Sequence, residues 1–173
     1  KVNILFLGVA IGIAQGCQPI FGFNYGAQNY KRVRETYFKA TGTMTLISIL
    51  VFLCFQIFPR QIVAIFGSGS ELYFQFAEEY FKIFMFCTFI NGIQPITANF
   101  ITSIGKAKKG MFISMTRQIL FLLPLILILP MFFGIDGVMF AGPIADGTAA
   151  ILSIVLVFFE MKNMKKLEAD LLK

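Results

Sequence analysis

Five runs of about twenty residues, each dominated by Phe, Ile, Leu, Val, Ala and Gly, constrain this chain more than any other feature. A helix rises about 1.5 Å per residue, so about 20 apolar residues cross roughly 30 Å of hydrocarbon. The runs cover 2–23, 40–58, 81–104, 111–133 and 137–159. Composition agrees: the chain is 57% hydrophobic and 14% charged, whereas a soluble domain carries about a quarter charged residues. The expected fold is therefore all-α, a polytopic transmembrane bundle of about five helices. It fills a membrane domain over 1–161, followed by a short cytoplasmic tail over 162–173.

The charges sit between the runs and alternate in kind. Lys31, Arg32, Arg34 and Lys39 follow the first run, and Arg60 stands against Glu71, Glu78 and Glu79 after the second. Lys106, Lys108 and Lys109 follow the third; the turn Gly134-Ile135-Asp136-Gly137 after the fourth has no basic residue; Lys162, Lys165, Lys166 and Lys173 follow the fifth. Basic loops stay on the cytoplasmic side. That rule puts the N-terminus outside and the C-terminus inside, which requires an odd number of spans. The net charge of +6 is thus read as a topology signal for a lipid bilayer, with no nucleic-acid partner. The stretch 60–76 reads as an outer loop with a short interfacial helix before Gly67-Ser68-Gly69-Ser70, and the tail as a solvated or leaflet-bound segment. The chain opens at Lys1 without an initiator Met or signal peptide, as expected of a fragment.

Polar groups at membrane depth are costly, so they point to function or to specific packing. Asp146 falls near the middle of the fifth run. It reads either as a carboxylate lining a wet cavity or as a structural one bonded to a neighbouring helix. Arg117 in the fourth run either snorkels to the inner face or pairs with a carboxylate. In the third run Asn91, Gln94 and Pro95 share a helical face by spacing, and with Asn99 they either hydrate a cavity or bond between helices. Gly8, Gly12 and Gly16 form a small-residue stripe for close helix approach. Gln18 and Pro19 follow it, and Pro19, Pro124, Pro130 and Pro143 are possible bends.

Much chemistry is excluded. There is no His, so no His-based triad; no Cys/His cluster has metal-ligand spacing; no phosphate-binding loop is present. Cys17, Cys54 and Cys87 lie inside apolar runs and do not form a disulfide framework. No enzyme, metal site or cofactor is expected.

The segment Gly16-Cys17-Gln18-Pro19-Ile20-Phe21-Gly22-Phe23-Asn24-Tyr25-Gly26-Ala27 closely resembles the signature at the cytoplasmic end of the eighth helix of MATE (multidrug and toxic compound extrusion) transporters. Ser103-Ile104-Gly105-Lys106-Ala107 resembles the end of the family's tenth helix. Ser114 to Gln118, Phe133 to Gly137 and Ala141 to Asp146 are similar to its eleventh and twelfth. The nearest likeness is to the bacterial branch of MepA- and DinF-like exporters.

The resemblance implies helices eight to twelve of a twelve-helix transporter, most of its six-helix C-lobe, without helix seven and the N-terminal lobe. It implies antiport of lipophilic cationic drugs against Na⁺ or H⁺ across the bacterial inner membrane. Asp146, Gln94, Asn99, Asn91, Gln18 and Arg117 would then be cavity residues. Gly16, Gln18, Pro19, Gly22, Asn24, Tyr25 and Gly26 would be the structural or gating signature. Some family members hold the coupling cation with acids in helices seven and ten; here the third run has Asn and Gln instead. A lipid-linked precursor flippase of the wider superfamily, or a non-transporting scaffold or truncated product, are the alternatives.

Overall fold

A computed structural model describes residues 2–66, 71–84 and 86–171. Lys1, Lys173 and the expected Gly67-Ser68-Gly69-Ser70 stretch lie outside the described residues. Every described element is helical. α1 (Val2–Gly26) and α2 (Tyr30–Ile57) are long; α3 (Pro59–Phe66) and α4 (Glu71–Phe84) are short. α5 (Thr88–Asn91), α6 (Ile93–Ser103) and α7 (Ala107–Met115) follow. A π-helical stretch (Thr116–Leu122) then runs into α8 (Leu123–Phe133), and α9 (Ile135–Leu171) closes the chain.

Four continuous helices are long and apolar enough to cross a membrane: Ile4–Gly26, Tyr30–Ile57, Ala107–Phe133 and Ile135–Leu171. They overlap the first, second, fourth and fifth expected spans. The third expected span, 81–104, is built differently: it combines the end of α4 with α5 and α6, and the chain breaks at Gly92. There the backbone passes so close to α2 that a Cβ would lie 2.4 Å from Met44 Cγ. Periodicity and polarity mark such a segment as membrane-embedded, but they carry no signal for the break.

Two other boundaries moved. α2 begins at Tyr30, so Lys31, Arg34 and Lys39 ride on its first turns rather than in a loop. α9 continues unbroken through the expected tail to Leu171, because Met164 is fully buried and Glu168 pairs with Arg34 of α2 at 2.7 Å.

The turns follow from local chemistry. Asn29 caps α2 by accepting from the Arg32 amide, the usual way to satisfy a free helix-end donor. Gly105 takes φ +84° between α6 and α7, while the amide of Lys106 reaches back to the carbonyl of Ile101. That is a helix C-terminal motif that favours glycine. Gly134 (φ +58°) alone separates α8 from α9.

The interior holds an aromatic cluster, with Phe100 packed against Phe21 at 5.2 Å and against Tyr37 at 4.9 Å between ring centres. Small residues (Ala10, Ala14, Ala40, Ala98) let α1, α2 and α6 approach around it. By contrast α8 buries none of its side chains. A helix apolar all round whose side chains stay largely exposed suits lipid contact.

The basic stretches gather at one end. Glu160 of α9 receives Lys106 and, at 3.2 Å, Lys109 from the α6–α7 turn, close to the Arg34–Glu168 pair. Arg60 and Glu71 pair at 2.7 Å between α3 and α4.

Candidate functional site

Asp146 lies about 17 Å along α9 from its start at Ile135, near the middle of roughly 30 Å of hydrocarbon. Buried Ala141, Gly142, Ala145, Ala149 and Ala150 surround it on that helix, so neighbouring helices reach it closely. Two of them supply donors. Arg117 Nε–H donates to Oδ1, and Asn91 Nδ2–H donates to Oδ2 at 3.1 Å. The Arg117 and Asp146 side chains are only 8% and 5% exposed. A carboxylate without such partners would cost several kcal/mol at this depth. Here each oxygen has a donor and the opposite charge is adjacent.

The π-helical stretch contributes to this arrangement. Arg117 sits in its first turn, and the stretch ends where the Leu123 amide bonds the carbonyl of Gln118. Pro124 follows at once; proline lacks an N–H and crowds the preceding turn. Widening the helix just before it accommodates the ring and changes the direction of the side chains there. Such bulges occur frequently at functional sites.

Arg117 also faces a cleft of about 200 Å³. Its walls are Leu7 and Ile11 from α1, Gln94, Pro95 and Asn99 from α6, and Ser114, Arg117 and Gln118 from the fourth membrane helix. Gln94 donates to the carbonyl of Ile113 at 2.6 Å, and Asn99 to that of Pro95 at 3.1 Å. The first bond ties α6 to α7; the second stays within α6.

The structure therefore joins five of the six predicted cavity residues and separates one. Asp146, Arg117 and Asn91 form one buried cluster, and Gln94, Asn99 and Arg117 line the cleft beside it. Gln18 is exposed on α1, about 10 Å along the helix beyond Ile11. Two open alternatives are decided by these bonds. Arg117 does not snorkel, because pairing with Asp146 satisfies it inside the bundle. Asn91 and Gln94 bond to different helices, Asn91 to Asp146 of α9 and Gln94 to the Ile113 carbonyl of α7. The Gly8, Gly12 and Gly16 stripe also meets nothing among the described residues: a Cβ at any of the three would find open space within 4 Å.

The signature segment forms the α1–α2 turn. Asn24 is buried and donates to the carbonyl of Ile20 at 2.8 Å; its own carbonyl accepts from the Asn29 amide at 2.9 Å. Tyr25 and Tyr30 meet edge-on at 5.4 Å, and Gly22 passes the backbone of Ser103 at van der Waals distance.

Sequence reading missed two sets of polar contacts, those of Glu160 and the Tyr37–Thr97 pair. Glu160 lies just past the fifth run, and a lone acid among lysines was its available signal. The Tyr37–Thr97 hydroxyl contact at 2.8 Å spans 60 residues and left none. Among the described residues, no three His, Cys, Asp or Glu side chains gather as they would around a metal ion.

Helices of membrane length, a broken polar member and a buried carboxylate behind a cleft define a polytopic integral membrane protein. The chain belongs to the MatE family, whose model matches residues 1–128. It is similar to Protein DETOXIFICATION 56 of Arabidopsis thaliana, with 28% identity over 166 residues, 94% of this chain and 33% of that protein. Its fold matches an outward-facing multidrug resistance MATE family transporter of the MOP superfamily with a TM-score of 0.88 at 18% identity, covering 95% of this chain and 37% of the other. An inward-facing structure of a transporter so described matches with a TM-score of 0.87 at 16% identity, covering 95% and 38%. The chain thus spans about a third of the length of these relatives.

Proposed function

We propose that this chain forms most of the C-terminal lobe of a cation-coupled antiporter, corresponding to helices eight to twelve, which extrudes lipophilic cationic small molecules in exchange for Na⁺ or H⁺. The partner is the N-terminal lobe of the same protein. The basic end lies in the cytosol of a bacterial cell and the first residues outside the inner membrane.

The observation that carries this reading is the Asp146–Arg117–Asn91 cluster behind the cleft. Buried ionisable groups in a membrane bundle mark pathways for ions and substrates. Arg117 is the only cation among the described cleft-lining residues, and Asp146 neutralises it, so a cationic ligand is not repelled. A flippase for anionic lipid-linked precursors would require the opposite, a cavity with free positive charge. Two further features support a lobe that rocks against another. The glycine stripe on α1 lies uncovered, available for close approach of a second body. The same fold also fits outward- and inward-facing relatives equally well, at 0.88 and 0.87, as expected of a unit that moves without refolding.

The test is ethidium efflux from a drug-sensitive bacterium expressing the full-length protein, under imposed Na⁺ and proton gradients. Efflux above an empty-vector control, dependent on one gradient, is the expected result. Efflux equal to the control for every cationic dye would remove the exporter reading.

A further inference from the structure

We infer that the groove between α2 and α9 at the basic end is a binding site for one anionic phospholipid. It rests on the proposed orientation of the basic end but on no transport step.

The groove has a volume of about 440 Å³, within the roughly 300–1,000 Å³ of built small-molecule sites. Its two ends differ in chemistry. Phe38 on α2 with Ile154, Phe158 and Met161 on α9 make an apolar floor, and Arg34, Lys162 and Lys165 line the basic end. The helices run in opposite senses here, so the floor lies deeper along both: Phe38 is one turn inward from Arg34, and Ile154 and Phe158 are inward from Lys162. Phe38, Ile154 and Phe158 are 63%, 50% and 64% exposed. From Ile154 to Lys165 the groove runs about 16 Å, about half of a hydrocarbon layer roughly 30 Å thick. It thus has the length of one leaflet, apolar inside and cationic at the head-group level.

Part of the charge at that end has no ion-pair partner among the described residues. Arg34 uses Nη2 to hold Glu168, but its Nη1 is buried with no hydrogen-bond partner. A buried donor without an acceptor is costly, and a small shift of the Arg34 side chain would let a phosphate oxygen at the mouth of the groove supply one. Lys162 and Lys165 have no ion-pair partner among the described residues. Of these three cations only Arg34 holds a described carboxylate, Glu168, so Lys162 and Lys165 favour a ligand with an anionic head. The apolar floor selects an acyl chain rather than a free phosphate. Zwitterionic lipid fills the floor without balancing the charge.

Full-length protein, stripped of lipid in detergent, would be titrated with phosphatidylglycerol or phosphatidylcholine and read by native mass spectrometry. One phosphatidylglycerol is expected to be retained in preference to phosphatidylcholine. Lys162→Gln/Lys165→Gln disturbs no described ion pair and should weaken that retention on the order of tenfold or more, since each basic group near an anionic surface contributes substantially. Ile154→Trp, which fills the floor without altering charge, should also weaken it. Excess inorganic phosphate should not displace the lipid. Equal retention of both lipids, unchanged binding in both variants, or displacement by phosphate each overturns the assignment. Because lipid binding is read without any gradient, absent efflux together with selective retention would remove the transporter reading alone.

Discussion

Arg117 and Asp146, separated by 29 residues in sequence, form a buried ion pair between the π-helical stretch and the middle of α9. A third side chain, Asn91 from the broken helix, donates to the other carboxylate oxygen. Three separate elements are thus locked to one another at membrane depth by a single charged group.

Removing one partner should expose this coupling. Asp146→Leu leaves the Arg117 charge buried and uncompensated, which is expected to cost about 3–5 kcal/mol. Arg117→Met/Asp146→Leu removes both charges and should recover most of that loss. Thermal unfolding followed by fluorescence-detected size exclusion checks the stability cycle. Ethidium efflux separates roles: a stable double variant that no longer transports supports a functional pair, whereas normal efflux assigns the pair to structure alone.

The glycines divide into two groups with opposite expectations. Gly137 packs on the backbone of Leu129, where an added Cβ would lie 2.5 Å from the carbonyl carbon. At Gly110 it would lie 2.8 Å from the carbonyl oxygen of Ala98. Backbone cannot yield as a side-chain tip does, so Gly137→Ala and Gly110→Ala should each destabilise by about 1–3 kcal/mol. Gly12→Ala meets open space and should leave melting unchanged. Gly12→Leu should impair efflux if another lobe closes on that face. Melting curves and dye efflux measured on the same variants decide both points.

The ion pairs at the two ends should differ in worth. Arg60 and Glu71 are 54% and 62% exposed, and such pairs contribute about 0–1 kcal/mol. Glu160 is 7% exposed and is shared by Lys106 and Lys109. Glu160→Gln should therefore lower the melting temperature clearly, and Glu71→Gln hardly at all. Equal shifts in the two variants would contradict this ranking.

Accessibility labelling tests the orientation. In a variant with Cys17, Cys54 and Cys87 replaced by Ala, single cysteines would be placed at Lys31, Lys108, Lys166 and Asp136. A membrane-impermeant maleimide should label only the Asp136 position in intact cells and the other three after lysis. Labelling of Lys31 and Lys108 from opposite sides would overturn the proposed topology.

Asp146 and Arg117 show how far the sequence alone reaches. Their cost in hydrocarbon singled out both residues, because an ionisable group in a long apolar run violates a strong rule whatever the fold. The four unbroken membrane helices were legible for the same reason: bilayer thickness fixes the length of an apolar run, and each helix satisfies its own backbone. The α1–α2 turn was legible because Asn24 and Tyr25 act on near neighbours.

What joined Asp146 to Arg117 and Asn91, and kept Gln18 apart, was decided only by tertiary packing. Those contacts depend on how helices rotate and approach, which is set by Gly92 against Met44, Gly137 against Leu129 and the π-helical turn ahead of Pro124. The break in the third span and the continuation of α9 through 162–171 have the same origin. Each depends on groups far away in the chain, on Met44 and on Arg34, and a linear pattern carries no record of which distant side chain will fill the space beside it.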